Sequence, residues 1–188
     1  MIYYFNSKSF NTTHKMCHYF KEMIISDRKA GQPLIILCIG SDRSTGDSLG
    51  PVIGYKLAHY DLKKYHIYGC LEQPVHAANL KSYINMINER HKNPFIIAID
   101  ASLGKKEHIG YITLGNGPLK PGTGVKKELP EIGNIHITGI VNNFSIMDNI
   151  LLQTTRLSTI MSLADIICNV ITSSYNDLFY ETNTVFHK

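Results

Sequence analysis

Apolar positions along this chain fall into two alternating rhythms, short continuous runs and longer stretches spaced three or four residues apart. That alternation predicts an α/β protein with a mostly parallel sheet and helices on both faces. Met16, Tyr19, Phe20, Met23 and Ile24 predict a helix over about 11–26, opening the chain, with Thr12 and Thr13 available as N-caps. The run Leu34 to Ile39 predicts a strand, and Leu49, Val52, Ile53 and Leu57 share one face of a helix over Ser48 to Tyr60. A second βα unit follows, with a strand over His66 to Leu71 and a helix over Ala77 to Arg90. Phe95 to Ile99 is a third strand. Weaker alternation over His108 to Leu114 suggests a more exposed, antiparallel strand. Gly and Pro then punctuate a loop from Gly115 to Leu129. Ile135 to Ile140 is a last strand, and Leu157 to Tyr175 a closing helix with Ile160, Met161, Ala164, Ile167 and Ile171 on one stripe. No repeat or linker interrupts the 188 residues, so one α/β domain is expected over 1–188.

Composition narrows the function classes only slightly. The net charge of +4 comes from dispersed lysines, so nucleic-acid binding is not expected. No continuous apolar run approaches the roughly 20 residues of a membrane span, and no signal peptide is recognisable, so a cytoplasmic protein without membrane association is expected. Cys17, Cys38, Cys70 and Cys168 are widely separated and form no CxxC pair, which favours reduced structural thiols.

Chemistry concentrates after two of the strands. Ile35-Ile-Leu-Cys-Ile runs into the polar loop Gly40-Ser-Asp-Arg-Ser-Thr-Gly-Asp47, and Phe95-Ile-Ile-Ala-Ile runs into Asp100. In open α/β sheets ligands bind outside the carboxyl ends of strands, where successive connections diverge. Asp47 and Asp100 are therefore expected to flank one crevice. Two close carboxylates share a proton readily and can polarise a water for attack on a carbonyl. The plainer reading is that Asp47 caps the following helix and Asp100 is a turn residue. The Gly40 to Gly46 loop also resembles an anion-binding loop, although no Walker lysine or GxGxxG pattern is present. Arg43 can clamp a carboxylate or simply pair with Asp42. Ser44, Ser48 and Ser102 lie near the expected crevice but outside any GxSxG elbow. His136 can reach the site from the last strand or serve in cross-strand packing. His14, Cys17 and His18 share a helix face at metal-ligand spacing, but Lys15 replaces the zincin glutamate and no fourth ligand is evident. No metal or cofactor is expected.

Three segments together resemble the YyaC family of sporulation proteins: Ile39-Gly-Ser-Asp-Arg-Ser-Thr-Gly-Asp-Ser-Leu-Gly-Pro51, Ile97-Ala-Ile-Asp-Ala-Ser-Leu-Gly104, and Leu119-Lys-Pro-Gly-Thr-Gly-Val125 continuing through Gly133-Asn-Ile-His-Ile-Thr-Gly-Ile-Val-Asn142. That family is distantly similar to germination protease and to the hydrogenase-maturation endopeptidases. The resemblance implies a three-layer α/β/α sandwich with a mixed sheet and a peptidase acting through Asp47 and Asp100. Asp42, Arg43, Ser44, Thr45, Gly46, Ser102 and His136 would bind a peptide or protein substrate, such as a spore protein. The hydrogenase-maturation enzymes add a histidine and recognise nickel. The corresponding stretch near Val141 to Phe144 has no histidine, so a metal-free site is the better expectation. A non-catalytic peptide- or anion-binding protein on the same fold is the alternative.

Overall fold

A computed structural model describes residues 1–121, 129–144 and 152–179. Six strands form one sheet: β1 (Ile2–Asn6), β2 (Leu34–Cys38), β3 (Tyr65–Tyr68), β4 (Phe95–Gly104), β5 (Tyr111–Asn116) and β6 (Ile135–Asn143). Their spatial order is β1-β5-β6-β4-β2-β3. The inner pairs β2/β3, β2/β4 and β4/β6 are parallel, whereas β5 runs antiparallel to both β6 and β1. Helices α1 (Thr12–Asp27), α2 (Leu49–Leu57) and α4 (Leu157–Phe179) cover one face, and α3 (Leu80–Arg90) packs on the other. The result is the three-layer α/β/α arrangement with a mixed sheet.

Every residue of β2 is buried because α2 and α4 press on one side of it and α3 on the other. Alternation therefore disappears there: Leu34, Ile36 and Cys38 enter one cluster, and Ile35 and Leu37 the other. Each such side chain contributes roughly 1.5–3 kcal/mol by leaving water. α1 lies against α4 and buries Met16, Phe20, Met23 and Ile24.

Three expectations need correction. The chain opens on β1, not on the amphipathic helix; Tyr3 stacks on Tyr19 of α1 with ring centroids 4.1 Å apart, so this short strand is held by tertiary contacts rather than by a strong local pattern. β4 does not stop at Ile99 but continues to Gly104, because β6 runs beside it as far as Asn143. α3 begins at Leu80 rather than Ala77, after Asn79 closes a turn by accepting the His76 backbone N–H on its side-chain oxygen at 2.8 Å. Separately, α4 is long and apolar enough to cross a membrane by length and composition alone, although polar residues such as Ser162, Asp165 and Asn169 interrupt it. In the fold Ile160, Leu163, Ile167, Val170 and Ile171 of this helix are core residues.

Candidate active site

Strand order puts a divergence of connections at the ends of β2 and β4. β2 lies between β3 and β4; the connection through α2 runs over one face of the sheet and the connection through α3 over the other. The carboxyl ends of β2 and β4 thus form the divergence point at which open α/β sheets bind ligands. β2 ends at Cys38, opposite Ile99, and the Ile39 N–H donates to the Ile99 carbonyl at 2.7 Å. Asp100 is therefore the first residue of β4 beyond its pairing with β2. The loop carrying Asp47 fills the space above that point.

This loop is held down by close backbone approach. Gly40 has φ +139, and a Cβ there would lie 2.0 Å from the Asp47 carbonyl oxygen. Only glycine permits this contact, through which the Ser41 N–H donates to the Asp47 carbonyl at 2.9 Å. The Asp47 N–H in turn donates to the Ser44 carbonyl at 3.0 Å, closing a short 3₁₀ turn over Thr45–Asp47 that packs against β4. At Gly50 a Cβ would sit 2.0 Å from the Ile39 carbonyl oxygen, so α2 begins pressed against the end of β2.

Both plainer readings of the aspartates disagree with this geometry. α2 has Ser48 at its N-cap position and no side-chain capping bond, so Asp47 does not cap the helix. Asp100 lies inside a strand, paired with Thr138 and 5% exposed, rather than in a turn. Its Oδ1 accepts the Ala101 N–H at 2.8 Å. Burial pushes the Asp47 carboxyl up to about 6, partly offset by the Ser41 backbone amide. A half-buried carboxyl raised by burial at the carboxyl edge of a parallel sheet has the properties of a general acid or base.

The expected substrate residues separate into two groups. Asp42 and Arg43 are exposed at the tip of the loop, and among the described residues neither takes part in an ion pair. Ser44 and Thr45 are half-buried and Gly46 is buried, and among the described residues the Ser44 Oγ has no hydrogen-bond partner. Ser102 and His136 lie instead on the sheet face that α3 flanks, where they line a groove of about 580 Å³. His136 serves the packing role as well, since its Nδ1 lies 2.9 Å from the Gly117 carbonyl oxygen and its ring crosses over Gly115. Sequence reasoning passed over Thr113 and Thr138, which also line this groove; the polar alternation His136-x-Thr138 on an otherwise apolar strand was the available signal.

Among the described residues no group of three or more His, Cys, Asp or Glu side chains is placed to hold a metal ion. His14 and His18 are exposed on α1, whereas the Cys17 thiol points to the Val170 carbonyl of α4, 3.7 Å away. Of the segment expected as a loop from Gly115 to Leu129, Gly115 and Asn116 belong to β5, Leu119 borders the groove and Lys120 pairs with Glu131 at 2.9 Å; Lys126 and Lys127 lie outside the described residues.

The fold is similar to that of the [NiFe] hydrogenase maturation protease HycI from Thermococcus kodakarensis KOD1, with a TM-score of 0.54, 14% identity, and coverage of 84% of this chain and 99% of that one. In sequence, the chain is 52% identical over 140 residues to the uncharacterized protein YyaC of Bacillus subtilis (strain 168), spanning 74% of this chain and 68% of that relative. Residues 3–170 match the family described as "Protein of unknown function (DUF1256)", and the chain belongs to that family, together with YyaC.

Proposed function

We propose that this protein is a peptidase in which Asp47 and Asp100 activate a water for attack on a peptide bond, with a protein of the sporulating cell as substrate. The observation that carries the reading is the half-buried Asp47 carboxyl, raised to about 6, on a turn packed against the strand that bears Asp100 at the divergence point of the sheet. The likeness in fold to a maturation protease supports the same direction. Asp47, the carboxyl with raised affinity for its proton, donates a hydrogen bond to the scissile carbonyl. Asp100 takes a proton from the water as it adds to the carbonyl carbon, and the proton then passes to the departing amine. The Gly40–Asp47 loop borders this chemistry, with Arg43 exposed to meet a carboxylate of the substrate.

The test is incubation of the purified chain, and of its Asp100→Asn form, with proteins extracted from sporulating cells. New fragments identified by mass spectrometry are expected only with the unmodified chain. Because the mechanism needs the proton on Asp47, cleavage should be faster at pH 5.5 than at pH 7.5. Identical fragment patterns from both forms, or none from either, would refute catalysis and leave a peptide-binding role on the same fold.

A further inference from the structure

On the sheet face that α3 covers over β2, the far end of β4 together with β6, β5 and β1 lines the 580 Å³ groove. β4 alternates Ile96, Ala98, Asp100 and Ser102 on this face, so the groove lies one strand position beyond Asp100. Its floor is polar: Thr113, His136 and Thr138 are 7%, 9% and 8% exposed. Its walls are apolar, with Leu119 and Ile140 inside and Tyr4 and Phe144 at the mouth.

The hydrogen-bond inventory of the floor is unbalanced in a specific way. Ser102 Oγ donates to Thr138 Oγ1 at 3.2 Å or to the Gly139 carbonyl at 3.4 Å, and the Thr113 and Thr138 hydroxyls share one bond of 2.6 Å. Three hydroxyls carry three protons, and these bonds consume two. Among the described residues one threonine proton remains without an acceptor, whichever way the Thr113–Thr138 bond points. Beside it, His136 Nδ1 faces a carbonyl oxygen and so carries the ring proton, which leaves Nε2 an acceptor in the neutral ring. One donor and one acceptor therefore sit on one face of β5 and β6, where Thr113 pairs with Thr138 and Gly115 with His136.

We propose that this groove is a specificity pocket for a side-chain carboxamide, that of glutamine or asparagine, in the peptide bound next to Asp100. The peptide part rests on the peptidase reading; the amide part rests on the floor alone. A primary carboxamide presents its carbonyl oxygen and one N–H along a single edge, suited to a donor and an acceptor that share one face of neighbouring strands, and an apolar stem suits the walls. A trans backbone amide presents the two groups on opposite sides. A carboxylate would bring a second acceptor against the Nε2 lone pair. Lys105 at the rim is exposed, so its solvated charge compensates little.

Peptides capped with acetyl and N-methylamide groups, carrying Gln, Glu or norleucine at one position, separate these cases. Their affinities are measured by nuclear magnetic resonance titration, in which cleavage registers independently as new peptide signals. The Gln peptide should bind about tenfold or more tightly than the other two, the worth of one or two buried hydrogen bonds. Thr113→Val combined with Thr138→Val removes the spare proton and should bring Gln to the norleucine level, with thermal unfolding confirming a folded protein. If that pair does not fold, His136→Phe removes the acceptor and should erase most of the preference. Equal binding of Gln and norleucine, tighter binding of Glu, or a preference that survives these variants would overturn the carboxamide assignment. Equal binding weakened in parallel by the threonine changes would assign the floor to a backbone amide instead, overturning it too. Gln preference without cleavage would sink the peptidase reading and leave the pocket standing.

Discussion

Replacing Asp47 by asparagine should stabilise the protein at neutral pH while removing its activity. The folded-state carboxyl is raised from 3.8 to about 6, chiefly by burial. Between those values the folded chain holds a proton that the unfolded chain has released, so unfolding free energy falls as pH rises through this window. Above about 6 the penalty is complete. Each unit is worth about 1.4 kcal/mol, so a shift of about two units sets a ceiling of about 3 kcal/mol. Partial exposure of the side chain lowers the expected gain to about 1–2 kcal/mol. The asparagine side chain keeps the shape of the carboxyl and cannot ionise. Urea unfolding of both forms at intervals from pH 4 to pH 8 measures the difference directly. It should be near zero at pH 4, grow through pH 5 and level off above pH 6.5 in favour of Asp47→Asn. A difference independent of pH, or one favouring the unmodified chain at pH 8, would show that the carboxyl is not held against its ionised form.

Gly40→Ala should be destabilised by several kcal/mol and lose cleavage, because a Cβ 2.0 Å from the Asp47 carbonyl oxygen must displace the turn that carries this aspartate. Denaturant unfolding together with the fragment assay checks both effects, and a folded, fully active Gly40→Ala protein would show that the contact does not position Asp47. Thiol labelling should reach half-buried Cys70 first and Cys17 more slowly, since burial raises the Cys17 thiol. Cys38, fully buried and strongly raised, should label only on unfolding, which mass spectrometry of labelled peptides would reveal.

The amino-acid sequence by itself determined the α/β class, the strands β2, β4 and β6, the helices on either side of them, and the two polar segments that follow β2 and enter β4. Those features are local: period, apolar runs and glycine-bounded loops report the burial each segment needs whatever its neighbours are. The tertiary structure alone decided that the chain opens on a strand, because Ile2–Asn6 is fixed by β5 and by Tyr19 rather than by its own pattern. It also decided how far β4 extends, since the length of a strand depends on the partner beside it. The same holds for the site. Residue types marked Asp47 and Asp100 as candidates, but the excess proton of the Ser102–Thr138–Thr113 chain exists only where three strands bring their hydroxyls together. Sequence separations of 36 and 25 residues lie between these partners, and no local pattern encodes a bond across such distances.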